Sequence, residues 1–277
     1  MNNNSFACTL SSDFFKLKKL KSVWIALIVM FTLALISYAA YWVGEKIVSV
    51  SDFGGEEYAK QEALALLAEM KNALLFGSAS TLNVELFVAI IACIFIGKDF
   101  SCGSVAVLTA RGEKRVDNYF SKWITLYGLY VVYTCFALLI CGIFYAFDAQ
   151  KGAFTSADFG MLMRNFGLQL LSGLASVSIF VMIAYLARST GSSIAISVCA
   201  YVLLSIVISL VSTIVAMNGK ENSNVWTYFM PMQQLSIAST HGKLSSTQIV
   251  AATVMPIVYA AASTLVGYFT FDARDIK

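Results

Sequence analysis

Charge, histidine and proline are scarce in this sequence. Only 13% of its 277 residues are Asp, Glu, Lys or Arg, one is histidine and two are proline. A soluble domain carries about 25% charged residues, so this chain has too little charge to face water on all sides. Two prolines and 17 glycines also exclude collagen-like and proline-rich disordered chains. The single histidine, His241, falls in a loop and reads as a surface residue. His-Glu-x-x-His, a nucleophile elbow and the Gly-x-x-x-x-Gly-Lys-Ser/Thr phosphate loop are all missing. Gly97-Lys98 echoes that last motif, but Asp99 stands where a hydroxyl is required. No catalytic, metal-binding or cofactor-binding residue is therefore assigned, and the chain is expected not to be an enzyme. None of the six cysteines has metal-site spacing or falls in a predicted outside loop, so they are expected to be small packing residues without disulfides.

Apolar residues are abundant: 58% of the chain, with mean hydropathy +0.75. A helix needs about 20 mostly apolar residues to cross a hydrocarbon core about 30 Å thick. That ruler predicts six spans, near 24–43, 81–97, 123–147, 166–187, 192–217 and 249–271, hence an all-α membrane protein forming one transmembrane domain over 1–277. The second is the weakest, with an unbroken apolar stretch only from Leu86 to Gly97 and Glu85 near its outer end. No ionisable residue lies inside the apolar stretches. Ion-coupled transporters and proton pumps use such residues, so uphill movement here is expected to draw its energy from outside the membrane domain.

Lys and Arg set the orientation. Lys16, Lys18, Lys19, Lys21, Lys98, Arg111, Lys114, Arg115, Lys122, Arg188, Arg274 and Lys277 fall on one side. Lys46, Lys60, Lys71, Lys151, Arg164, Lys220 and Lys243 are spread over longer loops on the other. Both termini are therefore predicted to be cytoplasmic. The first apolar run is too long for the h-region of a cleaved signal peptide, and Trp24, Tyr38, Tyr41 and Trp42 read as interfacial belts. The net charge of +3 fits contact with anionic lipid, and nothing in it points to nucleic acid.

Three connecting segments carry information. Residues 1–22 read as a basic amphipathic helix on the inner leaflet, with Phe6, Leu10, Phe14 and Leu17 as its apolar stripe and Lys18 and Lys19 among the cations at its end. It is either a topology anchor or an elbow that moves with a cytoplasmic partner. Residues 56–76 form a second amphipathic helix in the first outside loop, with Leu66, Leu67, Met70 and Leu74 at helical spacing. It is either a structural cap or a lid that touches cargo. The pair Glu56-Glu57 is no protease motif, since Gln61 stands where an arginine is wanted. The third segment, 98–122, carries Val105, Val107 and Leu108 in a cytoplasmic loop. Apolar side chains there mean docking, on the chain's own bundle or in a groove of another chain. Pro256 is expected to kink the last span, and Ser172, Ser176, Ser263 and Gly267 to mark close helix packing.

The basic N-terminal helix, the six spans and the run Asp99-Phe100-x-x-Gly103-Ser104, followed by Arg115 and Lys122, resemble the permease subunit of type-2 ABC exporters. Lys114 and Val105-Ala106 depart from the more polar residues usual at those places. The resemblance implies that Asp99, Phe100, Gly103, Ser104, Val107, Leu108, Arg115 and Lys122 belong to a coupling segment. Its short helix would sit in the groove of a separate ABC ATPase subunit, two copies expected, with ATP and Mg on that subunit. A second permease chain, identical or paralogous, would complete the assembly in the plasma membrane of a bacterium. Size and the long first outside loop are similar to those of exporters for antimicrobial peptides, including lantibiotic and bacitracin self-protection systems, which implies export of an amphipathic peptide, drug or lipid-like cargo. The alternative is a membrane sensor or immunity protein that binds a peptide at its outer face without transport.

Overall fold

The computed structural model describes residues 4–50, 57–110, 112, 114–148, 156–217, 233–239, 242 and 244–273. Glu56, Arg111, Lys151, Lys220, Pro231, His241, Lys243, Arg274 and Lys277 lie outside the described residues. Among the described residues the chain is all helix: α1 (Asn4–Lys19), α2 (Lys21–Val50), α3 (Glu57–Phe76), α4 (Ser78–Thr81), α5 (Val84–Ser101), α6 (Ser104–Ala110), α7 (Arg115–Asp148), α8 (Ser156–Ala187), α9 (Thr190–Met217), α10 (Gln233–Ala238) and α11 (Ser246–Ala273). Five of them, α2, α7, α8, α9 and α11, are long and apolar enough to cross a membrane. The pair α5 and α6, bent by 61°, counts as a sixth if it is one broken span.

α8 is the central column, packing on α11 most extensively and also on α5, α7, α9 and α10. The α8–α11 approach is close because Gly267 leaves room for the Tyr119 ring and the Met182 backbone; a Cβ there would stand 2.4 Å from the Tyr119 hydroxyl. Gly173 does the same for Tyr130, and Gly97 lets α5 meet the backbone of α9 at Thr190. Ser263 is buried on the same face of α11 as Gly267. Pro256 is buried inside α11, which continues as helix on both sides of it.

α2 and α9 are peripheral. On α9, Ile196, Leu203, Ile206, Leu210 and Ile214 are exposed, and on α2, Trp24, Ile28, Ile36 and Trp42. Apolar faces of that extent, on helices of that length, belong against lipid rather than water. Several apolar helices with such faces make this a multi-pass membrane protein.

Three expectations change. The second predicted span, 81–97, is a short helix α4, a turn in which Asn83 is left-handed with φ of 51°, and then α5. The predicted loop 98–122 is largely helical: Lys98–Ser101 end α5, α6 follows, and Arg115 to Lys122 begin α7. And the bundle does contain a buried carboxyl, since Glu85 lies in the first turn of α5 and is 1% exposed. The sequence places it at a span end because only α5 itself is apolar; the cover over it comes from α8 and the neighbouring helices.

Candidate functional site

The polar residues of α1, α5 and α7 converge where the three helices meet. On α1 the side chains turned inward are Leu17, fully buried, with Phe6 and Leu10 partly covered, and between them Asp13, 2% exposed. Positions 6, 10, 13 and 17 share one helical face, so the apolar stripe contains a carboxylate. Phe14 is 44% exposed at the edge of that stripe, its ring near Gly128 of α7. Lys18 and Lys19 are exposed, and the Lys19 ammonium sits over the Phe15 ring.

Lys122 of α7 receives Asp13. Its side chain is 1% exposed; Nζ lies 3.4 Å from Asp13 Oδ1 and in direct contact with Asp99 Oδ2 at the end of α5. The Phe95 ring lies 4.7 Å from the same ammonium. Ser121 donates to the other Asp13 oxygen at 2.7 Å. Lys16, more exposed, approaches Asp99 at 3.8 Å and Asp13 at 3.9 Å. Two aspartates and two lysines make the cluster neutral as a whole. A buried ion is tolerated only with such partners and hydrogen bonds, so the cluster ties α1 to the mouth of the bundle.

Beside it, aromatic rings join α5, α7, α8 and α11. Tyr185 meets Tyr119 at a tilt and Phe271 edge-on, both at centroid distances of 4.8 Å, and Phe100 meets Tyr185 edge-on at 5.7 Å. Tyr185 donates to Asn118 Oδ1 at 3.1 Å, Arg115 donates to the Asp272 carbonyl, and the Arg188 guanidinium lies over Phe100.

α6 projects from this base. Gly103, with φ of +65°, makes the turn out of α5, a conformation that costs an L residue about 1–2 kcal/mol. Ser104 Oγ donates to the Asp99 carbonyl at 3.0 Å, and the Val107 amide to the Gly103 carbonyl at 3.1 Å. Val105 is buried against the bundle and Leu108 is half-buried, while Val107 is 50% exposed on the opposite face.

The structure thus brings Asp99, Phe100, Gly103, Ser104 and Lys122 together, with Arg115 tied to α11 nearby. Sequence reasoning missed Asp13, Ser121 and Asn118. The signal for Asp13 was available: a lone carboxylate on the apolar face of α1, three residues from Leu10 and four from Leu17.

At the other end of the molecule, α3 packs on α2, α7 and α8. Leu67 faces inward against Gly44, and Leu74 lines a small pocket with Ala34, Tyr38, Tyr41, Lys71 and Phe144. Leu66 and Met70 point outward and are exposed. Among the described residues no group of three His, Cys, Asp or Glu side chains is placed to hold a metal ion.

Fold and site together define an all-α multi-pass membrane protein with a charge-anchored short helix at one end. The chain belongs to the family described as protein of unknown function DUF2705, whose model matches residues 26–277. No curated protein matches the sequence.

Proposed function

We propose that this chain is the membrane-spanning permease subunit of an ATP-driven type-2 ABC exporter. It has six spans, with α5 as the second and α6 outside the membrane, and both termini are cytoplasmic in the plasma membrane of a bacterium. A separate ATPase subunit, present in two copies, supplies the energy, and a second permease chain completes the pathway for an amphipathic cargo. The observation that carries this reading is α6: a helix of seven residues, bent away from α5, held by its buried face and presenting Val107 outward. An exposed valine on a helix held by its opposite face suits insertion into a groove of another chain. The charge cluster beneath it gives α1, α5 and α7 a common footing, so a push on α6 reaches α1 as well.

The test is a mild-detergent purification of the tagged chain from its host. An ABC ATPase recovered at one per chain supports the reading, and Val107→Asp should lose it. A chain recovered without any ATPase refutes it. The exposed Leu66 and Met70 on α3 favour, as a second reading, a peptide-binding sensor or immunity protein. Under that reading, deleting 56–76 abolishes protection against the peptide, and disabling an ATPase leaves protection intact.

A further inference from the structure

Among the described residues, Glu85 is the one strongly buried acidic group that the charge cluster does not use. It lies 13 residues, about 20 Å, along α5 from Lys98. Its hydrogen-bond partners, Ser172 and Ser176, sit near the middle of the 32-residue α8. Both hydroxyls meet the same oxygen, Oε1, at 3.2 and 2.8 Å. Among the described residues no donor reaches Oε2 and no ion pair forms with either oxygen.

We propose that Glu85, with Ser172 and Ser176, is a proton-binding site inside the helical bundle. An ionised carboxylate buried without a cation costs several kcal/mol. The start of α5 offsets only part of that, since a helix N-terminus offers at most about half a positive charge. Ionisable side chains at such depth mark proton and ion pathways. Among the described residues, the groups facing Glu85 are Tyr130 from α7 and Tyr201 from α9, with the two serines from α8; none of these carries a positive charge.

The serine pair accommodates both states without moving a heavy atom. When Glu85 is ionised, Ser176 donates to Oε1. When a proton arrives from water and rests on Oε1, the Ser176 hydroxyl accepts from it and turns its own hydrogen to the Ser172 carbonyl, 3.3 Å away. A row of polar side chains also leads toward the site. Asn165, Gln169, Ser172 and Ser176 are all buried and recur at steps of four, three and four, which places them on one face of α8. That polar face runs from Arg164, which binds Asn165 and the Gly242 carbonyl, down to Glu85.

The inference stands apart from the ATPase reading, because it is read on the isolated chain. The purified protein in phosphatidylcholine nanodiscs is treated with dicyclohexylcarbodiimide, an apolar reagent that modifies carboxyls in their protonated form. Adducts are mapped by peptide mass spectrometry across a pH series. The expected result is one dominant adduct on Glu85, absent in Glu85→Gln, retained in Glu85→Asp and fading as the medium turns alkaline. Infrared spectra should show a protonated-carboxyl stretch that Glu85→Gln removes. An unlabelled Glu85 at every pH, or a carboxyl stretch unchanged in Glu85→Gln, overturns the proposal. So does labelling that sodium blocks at constant pH, which would assign the site to an alkali cation. The wild-type labelling needs no variant, so a misfolded Glu85→Gln leaves the test intact.

Discussion

Replacing Lys122 by methionine keeps an unbranched side chain one atom shorter and removes the charge at the centre of the α1–α5–α7 junction. Asp13, 3% exposed as a side chain, would keep only the Ser121 hydroxyl and the half-exposed Lys16 at 3.9 Å; Asp99, 14% exposed, would keep Lys16 at 3.8 Å. Removing one partner of a buried pair costs about 3–5 kcal/mol. Lys16 and the partial exposure of Asp99 recover some of this, so the lower end applies, about 3 kcal/mol, or roughly 150-fold in the folding equilibrium. Lys16→Met, by contrast, removes a 40% exposed cation and should cost less than about 1 kcal/mol. The assay is unfolding in mixed micelles by titrated SDS, followed by tryptophan fluorescence. Asp13→Asn combined with Lys122→Met should cost about 1 kcal/mol or more less than the sum of the two single changes, because the second removes a charge that the first has already orphaned. A cost under about 0.5 kcal/mol for Lys122→Met, or strict additivity in the double variant, would refute the coupling of α1 to the bundle through this cluster.

Four further outcomes follow from the same geometry. Gly173→Ala should destabilise the bundle by about 1–3 kcal/mol, read in the same titration, because its Cβ would fall 1.8 Å from the Tyr130 ring. Val105→Asp buries a charge and should lower expression and stability, whereas Val107→Asp, on the exposed face, should stay within about 0.5 kcal/mol of wild type; equal losses from both would contradict the orientation of α6. Gly103→Ala meets no neighbour within 4 Å but must adopt φ of +65°, so circular dichroism melts should show a loss of about 1–2 kcal/mol from backbone strain alone. Cys8 and Cys102, both exposed, should react with an impermeant maleimide in inside-out vesicles and not in intact cells; the reverse pattern would invert the proposed topology.

Much of the fold is legible in the apolar runs, because a lipid-facing helix has to be apolar along its length and leaves little else to decide. The long helices α2, α7, α8, α9 and α11 follow from that. What escapes is whatever depends on a neighbour. Asp13 is hidden because an amphipathic reading of α1 counts hydrophobic positions, and its partner Lys122 is more than a hundred residues away. Lys98 to Lys122 looks like a loop from its charges, yet Asp99 and Lys122 neutralise each other and let α5 and α7 run on as helices. Glu85 appears terminal because the apolar stretch starts at Leu86; its burial is supplied by Ser172, Ser176 and the residues around them on α8. Gly267, Ser172 and Ser176 carry a local signal as small residues, but the aromatic rings that fill the space beside Gly173 and Gly267 come from α7.

The proposed function requires α6 to be the contact through which another chain drives this one. A photo-crosslinking amino acid placed at Val107 tests it most directly, in native membranes and without purification. The expected result is a light-dependent adduct between this chain and an ABC ATPase, identified by mass spectrometry, and none from the same probe at the lipid-facing Leu203. An adduct confined to lipid or to the chain itself, with no ATPase partner, would contradict it.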